Sequence, residues 1–292
     1  MGHLEGRVAI ITGAARGLGR EHALLFAAEG ASVVVNDLGS GADGHGDDQG
    51  AAQAVVDEIE EAGGRAIANT DDVADWEGGR RLIRAALGAF GELHIVVNNA
   101  GVLRDRMMVN MTEEDFDSVI SVHLKGHFVP TRHAASYWRE QSKAGRPLEA
   151  SVINTSSTSG LEGNPGQVNY GAAKAGIAAM TIIAAQELSR YGVRVNAVVP
   201  AARTRLTAAT PGLSEIVAAP EEDSRFDAWD PANVSPLVAW LASTSCTATG
   251  RVLLAFGGDI QPMTGWAREP GISRPDRWSI EAIAGQLPPM LG

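Results

Sequence analysis

Residues 7–19 read Arg-Val-Ala-Ile-Ile-Thr-Gly-Ala-Ala-Arg-Gly-Leu-Gly. The first six form a short apolar, β-branched run between Gly6 and Gly13, the pattern of a strand buried on both faces. A helical stretch from Arg20 to Glu29 follows and stops at Gly30, the residue type that closes helices. Between strand and helix lie Gly13, Arg16, Gly17, Leu18 and Gly19. A glycine-rich turn at this place lets backbone N–H groups and the positive end of a helix approach a pyrophosphate. Glycine-rich turns are common; the strand before and the helix after give this one its meaning.

Downstream, the same alternation repeats. Ala31 to Asn36 reads as a second strand, and Asp37 ends it about 20 residues past the turn, where a carboxylate hydrogen-bonds the ribose hydroxyls of a dinucleotide. That carboxylate repels a 2′-phosphate, so NAD is expected over NADP, although Arg16 is a basic residue that could meet such a phosphate. Gly39 to Gly50 is glycine-rich; its His45 has no His or Cys nearby, so it reads as a solvated loop residue and no metal site is expected. Ala51 to Ala62 is an amphipathic helix and Arg65 to Asn69 a third strand. Asp72 and Val73 follow at a strand end where an adenine would sit. Asp75 caps a helix running to Phe90. Leu93 to Val97 is a fourth strand, and Asn98-Asn99-Ala100-Gly101 offers room for a cofactor and amides that tie loops together. Thr112-Glu-Glu-Asp115 starts a long helix that carries His123, Lys125 and Gly126.

Strands at Ser151–Thr155, Val193–Val199 and Arg251–Phe256 complete the series. The expected fold is α/β: a single Rossmann-type, doubly wound parallel sheet with helices on both faces, over 1–292. Within it, residues at about 201–230 read as a lid over the site and those at about 257–292 as a C-terminal tail.

The chemistry is concentrated between Ser157 and Lys174. Tyr170 and Lys174 are four apart on a helix, so they share a face. An ammonium favours a phenolate, which predicts a lowered Tyr170 pKa. Ser157, at a strand end, binds the same substrate oxygen. Taken alone this serine would be a strand-end cap, but not beside a tyrosine–lysine pair. The set moves a proton on and off an alcohol or carbonyl, and the glycine turn with Asp37 supplies the place for a hydride carrier.

Together these residues resemble the short-chain dehydrogenase/reductase family across nearly the whole chain. The carrying motifs are Thr12-Gly13-X-X-X-Gly17-X-Gly19, Asn98-Asn99-Ala100-Gly101, Ser157 and Tyr170-X-X-X-Lys174. Within the family the chain is most similar to the (3R)-hydroxyacyl-CoA dehydrogenase units of peroxisomal multifunctional enzymes, through Asn36-Asp37-Leu38-Gly39, Leu103-Arg104-Asp105-Arg106, Val122-His123-Leu124-Lys125-Gly126, Gly163-Asn164-X-Gly166-Gln167, Thr204-Arg205-Leu206-Thr207 and Gly265-Trp266. The resemblance implies an NAD-dependent oxidoreductase for secondary alcohols and ketones, with a 3-hydroxyacyl-CoA-type substrate. It implies that Lys174 binds the nicotinamide ribose and that the backbone at Pro200 meets the nicotinamide amide, although Ala201 stands where the family has glycine. It gives His123 the place usually held by asparagine in a catalytic tetrad, as a variant of the same role; a packed helix histidine is the alternative reading. A hydroxysteroid or other bulky alcohol is the competing substrate, and a non-catalytic dinucleotide-binding protein is the competing class, disfavoured because Tyr170 and Lys174 are both present. Arg104, Arg106, Arg203 and Arg205 are candidates to meet CoA.

A net charge of −11 argues against a nucleic-acid surface. The lone Cys246 excludes an intrachain disulfide and suits a cytoplasmic setting. No signal sequence or membrane-spanning run is read. The Ala-rich helix Tyr170–Tyr191 is apolar nearly all round, which predicts a homodimer or homotetramer.

Overall fold

The computed structural model describes residues 2–290 apart from 42, 45, 47, 49, 205, 206, 208–216, 221–225, 266 and 268. His45, Arg205, Leu206, Trp266 and much of the expected lid therefore lie outside the described residues.

The strands are β1 (Val8–Thr12), β2 (Ser32–Asn36), β3 (Arg65–Asn69), β4 (Ile95–Asn98), β5 (Ala150–Thr155), β6 (Val193–Ala201), β7 (Val252–Phe256) and β8 (Asp259–Pro262). They form one eight-stranded sheet in the order β3-β2-β1-β4-β5-β6-β7-β8. All neighbours are parallel except β7 and β8. The order reverses between β1 and β4, so a crevice opens there at the carboxyl ends of the strands.

Alternation along each strand feeds two cores. Ala9, Ile11, Val33, Val35, Ile95, Val97 and Ile153 pack with helices α1 (Gly17–Ala28), α2 (Ala51–Glu61) and, further along the chain, α8 (Ser235–Ala242). Val8, Ile10, Val34, Val96 and Val152 point the other way, into a core with α3 (Trp76–Phe90) and α5 (Gly126–Lys143). Helices thus cover both faces, as the continuous apolar runs of the strands require.

Two sequence expectations gain detail and one is corrected. The long helix after Thr112 is continuous but not uniform: α4 (Glu113–Ile120) passes through a π-helical stretch at Ser121–Lys125 before α5 begins. The tail beyond 256 carries elements of its own. Gly257 and Gly258 turn the chain into β8, which adds an antiparallel edge, and a short helix, α9, spans Ile280–Gln286. Four exposed residues ending in proline carry too little periodicity to announce a strand. Finally, Val168–Tyr191 is long and apolar enough to cross a membrane by length and composition. Here that run contains α7 (Val168–Leu188), numbered after the single turn α6 (Thr158–Leu161), and it lies along the sheet with Ile177 and Ala178 buried.

Candidate active site

All the sequence-predicted site residues except Gly19 and Ser157, which stand beside it, line one cavity of about 730 Å³ at the carboxyl ends of β1, β2, β4, β5 and β6. Gly13, Arg16, Gly17, Leu18, Asp37, Asp72, Val73, Asn99, Ala100, Gly101, His123, Tyr170, Lys174 and Pro200 all line it.

At one end the β1–α1 turn is held shut by close approach. A Cβ on Gly19 would lie 2.2 Å from the Gly13 carbonyl oxygen, so any other residue would force the turn open. Asn99 works from behind: its side-chain amide donates to the carbonyls of Thr12 at 3.0 Å and Gly13 at 3.1 Å. Thr12 Oγ1 accepts from the backbone of Asn99 at 2.9 Å and Ala100 at 3.1 Å. Asn99 therefore ties the loops together, and what it offers a cofactor is shape. Asp37 receives the backbone N–H of Ala15 at 3.0 Å and of Gly39 at 2.8 Å. Its carboxylate is fixed beside the turn.

The start of α1 has no side-chain cap and no acidic residue in its first turn. Free N–H groups facing a cavity between a glycine turn and a fixed carboxylate fit the pyrophosphate and ribose of a dinucleotide. Asp72 spends one oxygen on the Ala74 N–H at 2.8 Å. No group of His, Cys, Asp and Glu suited to a metal occurs among the described residues.

The other end holds the proton-moving set. Ser157 follows β5 and caps α6 through the Ser159 N–H at 3.2 Å. Tyr170 and Lys174 project from the first turns of α7. Lys174 is 2% exposed, and its Nζ donates to the Thr155 carbonyl at 2.6 Å and sits 5.4 Å from the Tyr170 ring centroid.

The electrostatics differ from the expected lowering of the Tyr170 pKa. Burial pushes the Tyr170 phenol up to about 12, with a hydrogen bond from Ser157 opposing the shift and Asp105 adding to it. Burial brings the Lys174 ammonium down to about 7. Desolvation dominates at both adjacent groups, so the bare pocket favours both neutral forms.

His123 lies in the π-helical stretch, 1% exposed. Its Nε2 is 2.8 Å from the Val102 carbonyl and 3.1 Å from the Val102 N–H, so it anchors the β4 loop in either tautomer. Burial and Lys174 both hold its pKa well below the ordinary value. It packs in a structural place and lines the reacting end as well.

Leu38, read from the sequence beside Asp37, is 47% exposed at the adenosine end. Ser40, Gly41 and Gly44 escaped the sequence reading and border the same cavity. Gln167 links the loop before α7 to Asp105, donating at 2.8 Å while its oxygen accepts from Ser159 and Asn164. Gln167 and Asp105 stood in quoted motifs, but only spatial contact gives them work. Of the basic candidates for CoA, Arg104 pairs with Glu114 at 3.2 Å and Arg203 with Asp227. Arg106 donates to its neighbour's carbonyl at 3.1 Å.

Known proteins resemble this chain over most of its length. A family model described as short chain dehydrogenase matches residues 7–213. The hydroxyacyl-CoA dehydrogenase ChsB1 of Mycobacterium tuberculosis is 46% identical over 265 residues, covering 88% of this chain and 79% of that protein. The peroxisomal multifunctional enzyme type 2 of Drosophila melanogaster is 44% identical over 263 residues, covering 90% of this chain but 40% of that protein. A crystal structure of a short chain dehydrogenase from Mycobacterium avium superimposes with a TM-score of 0.88 at 51% identity, over 100% of this chain and 96% of that one.

Proposed function

We propose that this chain, which belongs to the short-chain dehydrogenase family and is an oxidoreductase acting on CH–OH groups, interconverts a 3-hydroxyacyl-CoA-type alcohol and its ketone with NAD. The carrying observation is a single cavity with Asp37 and the glycine turn at one end and Tyr170 and Lys174 at the other, where Ser157 meets the Tyr170 hydroxyl. A bound nicotinamide supplies the hydride acceptor or donor.

The chain's own residues handle the proton. Ser157 and Tyr170, joined by a hydrogen bond, offer hydroxyls to one substrate oxygen. With its pKa pushed up to about 12, Tyr170 rests as the neutral acid, ready to protonate a developing alkoxide in ketone reduction. In alcohol oxidation it must first give up that proton. A positive charge on Lys174 favours the phenolate, and the Thr155 carbonyl, 2.6 Å from Nζ, holds the ammonium form in place.

The substrate class rests on likeness to proteins named hydroxyacyl-CoA dehydrogenase and peroxisomal multifunctional enzyme. NAD rests on Asp37, whose fixed carboxylate suits ribose hydroxyls and repels a phosphate. The test is a spectrophotometric screen of NAD reduction with (3R)-hydroxyacyl-CoAs and with hydroxysteroids. Turnover of the acyl-CoAs supports the reading; turnover of steroids alone sinks it.

A homo-oligomer completes the reading. A groove of about 900 Å³ between α5 and α7 is floored by Gly176, Ala179 and Ala184. Phe128 at 46% and Ile183 at 55% stand exposed at its sides. Small residues that admit a close helix, next to exposed apolar ones, suit a second copy of the same face. Light scattering after gel filtration should give a dimer or tetramer mass; a monomer at micromolar concentration would refute it.

A further inference from the structure

We infer that Asp48 is a specificity-determining residue that excludes 2′-phosphorylated dinucleotides by holding Arg16, an inference that rests on the NAD reading above. Arg16 is the N-cap of α1, at the point where a guanidinium can meet a phosphate beside the adenosine ribose. In the fold its Nη2 is ion-paired with Asp48 Oδ2. The other cations lining the cavity among the described residues are Lys174, at the reacting end, and Arg203, paired with Asp227. Arg16 is thus the cation placed near Asp37, and it is engaged.

Asp48 is brought there by built backbone geometry. Gly39 has φ +81°, and a Cβ on it would lie 2.4 Å from the Asp48 carbonyl oxygen. The Asp48 N–H donates to the Gly39 carbonyl at 3.0 Å. The Gly39 N–H in turn donates to Asp37 Oδ1 at 2.8 Å, so one glycine links both carboxylates. The Gly39–Asp48 contact delivers a second carboxylate to the glycine turn. Asp37, Asp48 and Arg16 leave a local net charge of −1 where a 2′-phosphate would bring about −2. Without Asp48, the local sum becomes neutral and the guanidinium fork is open to a phosphate.

The experiment compares wild type with Asp48→Asn, Arg16→Ala and the double variant. Calorimetry with 5′-AMP and 2′,5′-ADP isolates the adenosine end from turnover, and kcat/KM for NAD and NADP follows on the same proteins. Asp48→Asn should tighten 2′,5′-ADP relative to 5′-AMP by about tenfold, the scale of a hydrogen-bonded charge contact. The NAD-to-NADP ratio of kcat/KM should fall by a similar factor. Arg16→Ala in the Asp48→Asn background should remove both gains. A wild type that prefers NAD, with ratios unmoved by Asp48→Asn, overturns the role of Asp48 and leaves Asp37 as the discriminator. A gain that persists without Arg16 also overturns it, because the carboxylate would then act by repulsion alone. A wild type that prefers NADP overturns this inference and the NAD reading together.

Discussion

The His123 imidazole stands edge-on to the Tyr170 ring, with centroids 5.1 Å apart and planes at 86°. The contact joins the π-helical stretch to the reacting tyrosine, while Nε2 holds the Val102 backbone. Gly101 makes room for it: a Cβ there would lie 2.3 Å from His123 Cε1. Gly101→Ala is therefore expected to destabilise the protein by about 1–3 kcal/mol, the usual cost of overpacking. Gly101→Ala with His123→Ala should cost less than the sum of the two single changes, because the clash is gone. Denaturant midpoints of the three variants check this. Additive losses would show that the two residues do not share one space.

Tyr170→Phe keeps the ring that meets His123 and deletes the hydroxyl. Activity should fall by about 10²–10⁴-fold, the factor for general acid–base catalysis. The melting temperature should change little, since the hydroxyl opens on the cavity. Steady-state rates with thermal melts separate the two effects. Near-normal turnover on every active substrate would remove Tyr170 from the chemistry.

Much of this was legible because strand ends punctuate the sequence. Thr12-Gly13, Asn36-Asp37, Asn98-Asn99 and Thr155 each close an apolar run, so their meeting at one sheet edge follows from parallel alternation. What stayed hidden depends on distance in the chain or on burial. The Arg16–Asp48 pair spans 32 residues, and no local pattern announces it. The direction of the Tyr170 shift turned on desolvation, which the i,i+4 spacing with Lys174 does not report. Likewise β8 escaped because an exposed four-residue edge strand has no apolar face to read.

Lys174 should leave its mark on stability. Its pKa is brought from 10.5 to about 7 by burial. Between those values the unfolded chain binds a proton that the folded chain does not, so stability rises with pH across that window. Below about 7 the folded protein carries the full cost of a buried charge. Lys174→Met removes the titration. The difference in unfolding free energy, wild type minus variant, should grow from pH 7 to pH 10 in the cofactor-free protein. A difference independent of pH would show that Lys174 keeps its proton in the fold.

Asp105 offers a sharper test, because it acts on Tyr170 without joining the proton transfer. Gln167 holds one of its oxygens at 2.8 Å, while the other is buried with no partner among the described residues. Burial raises the Asp105 pKa itself. Once ionised, it opposes the Tyr170 phenolate with its negative charge and so raises the phenol pKa. Asp105→Asn keeps the shape and the link to Gln167 but removes the charge, so the phenolate forms more readily. In alcohol oxidation, where the phenolate is the active form, the rising limb of the kcat/KM profile should move to lower pH. In ketone reduction the falling limb should move the same way, since the neutral acid is lost sooner. A change in Asp105 that acted only through packing would lower both rates without moving either limb. Profiles in both directions on wild type and Asp105→Asn therefore decide whether the carboxylate tunes Tyr170 or merely braces the loop before it.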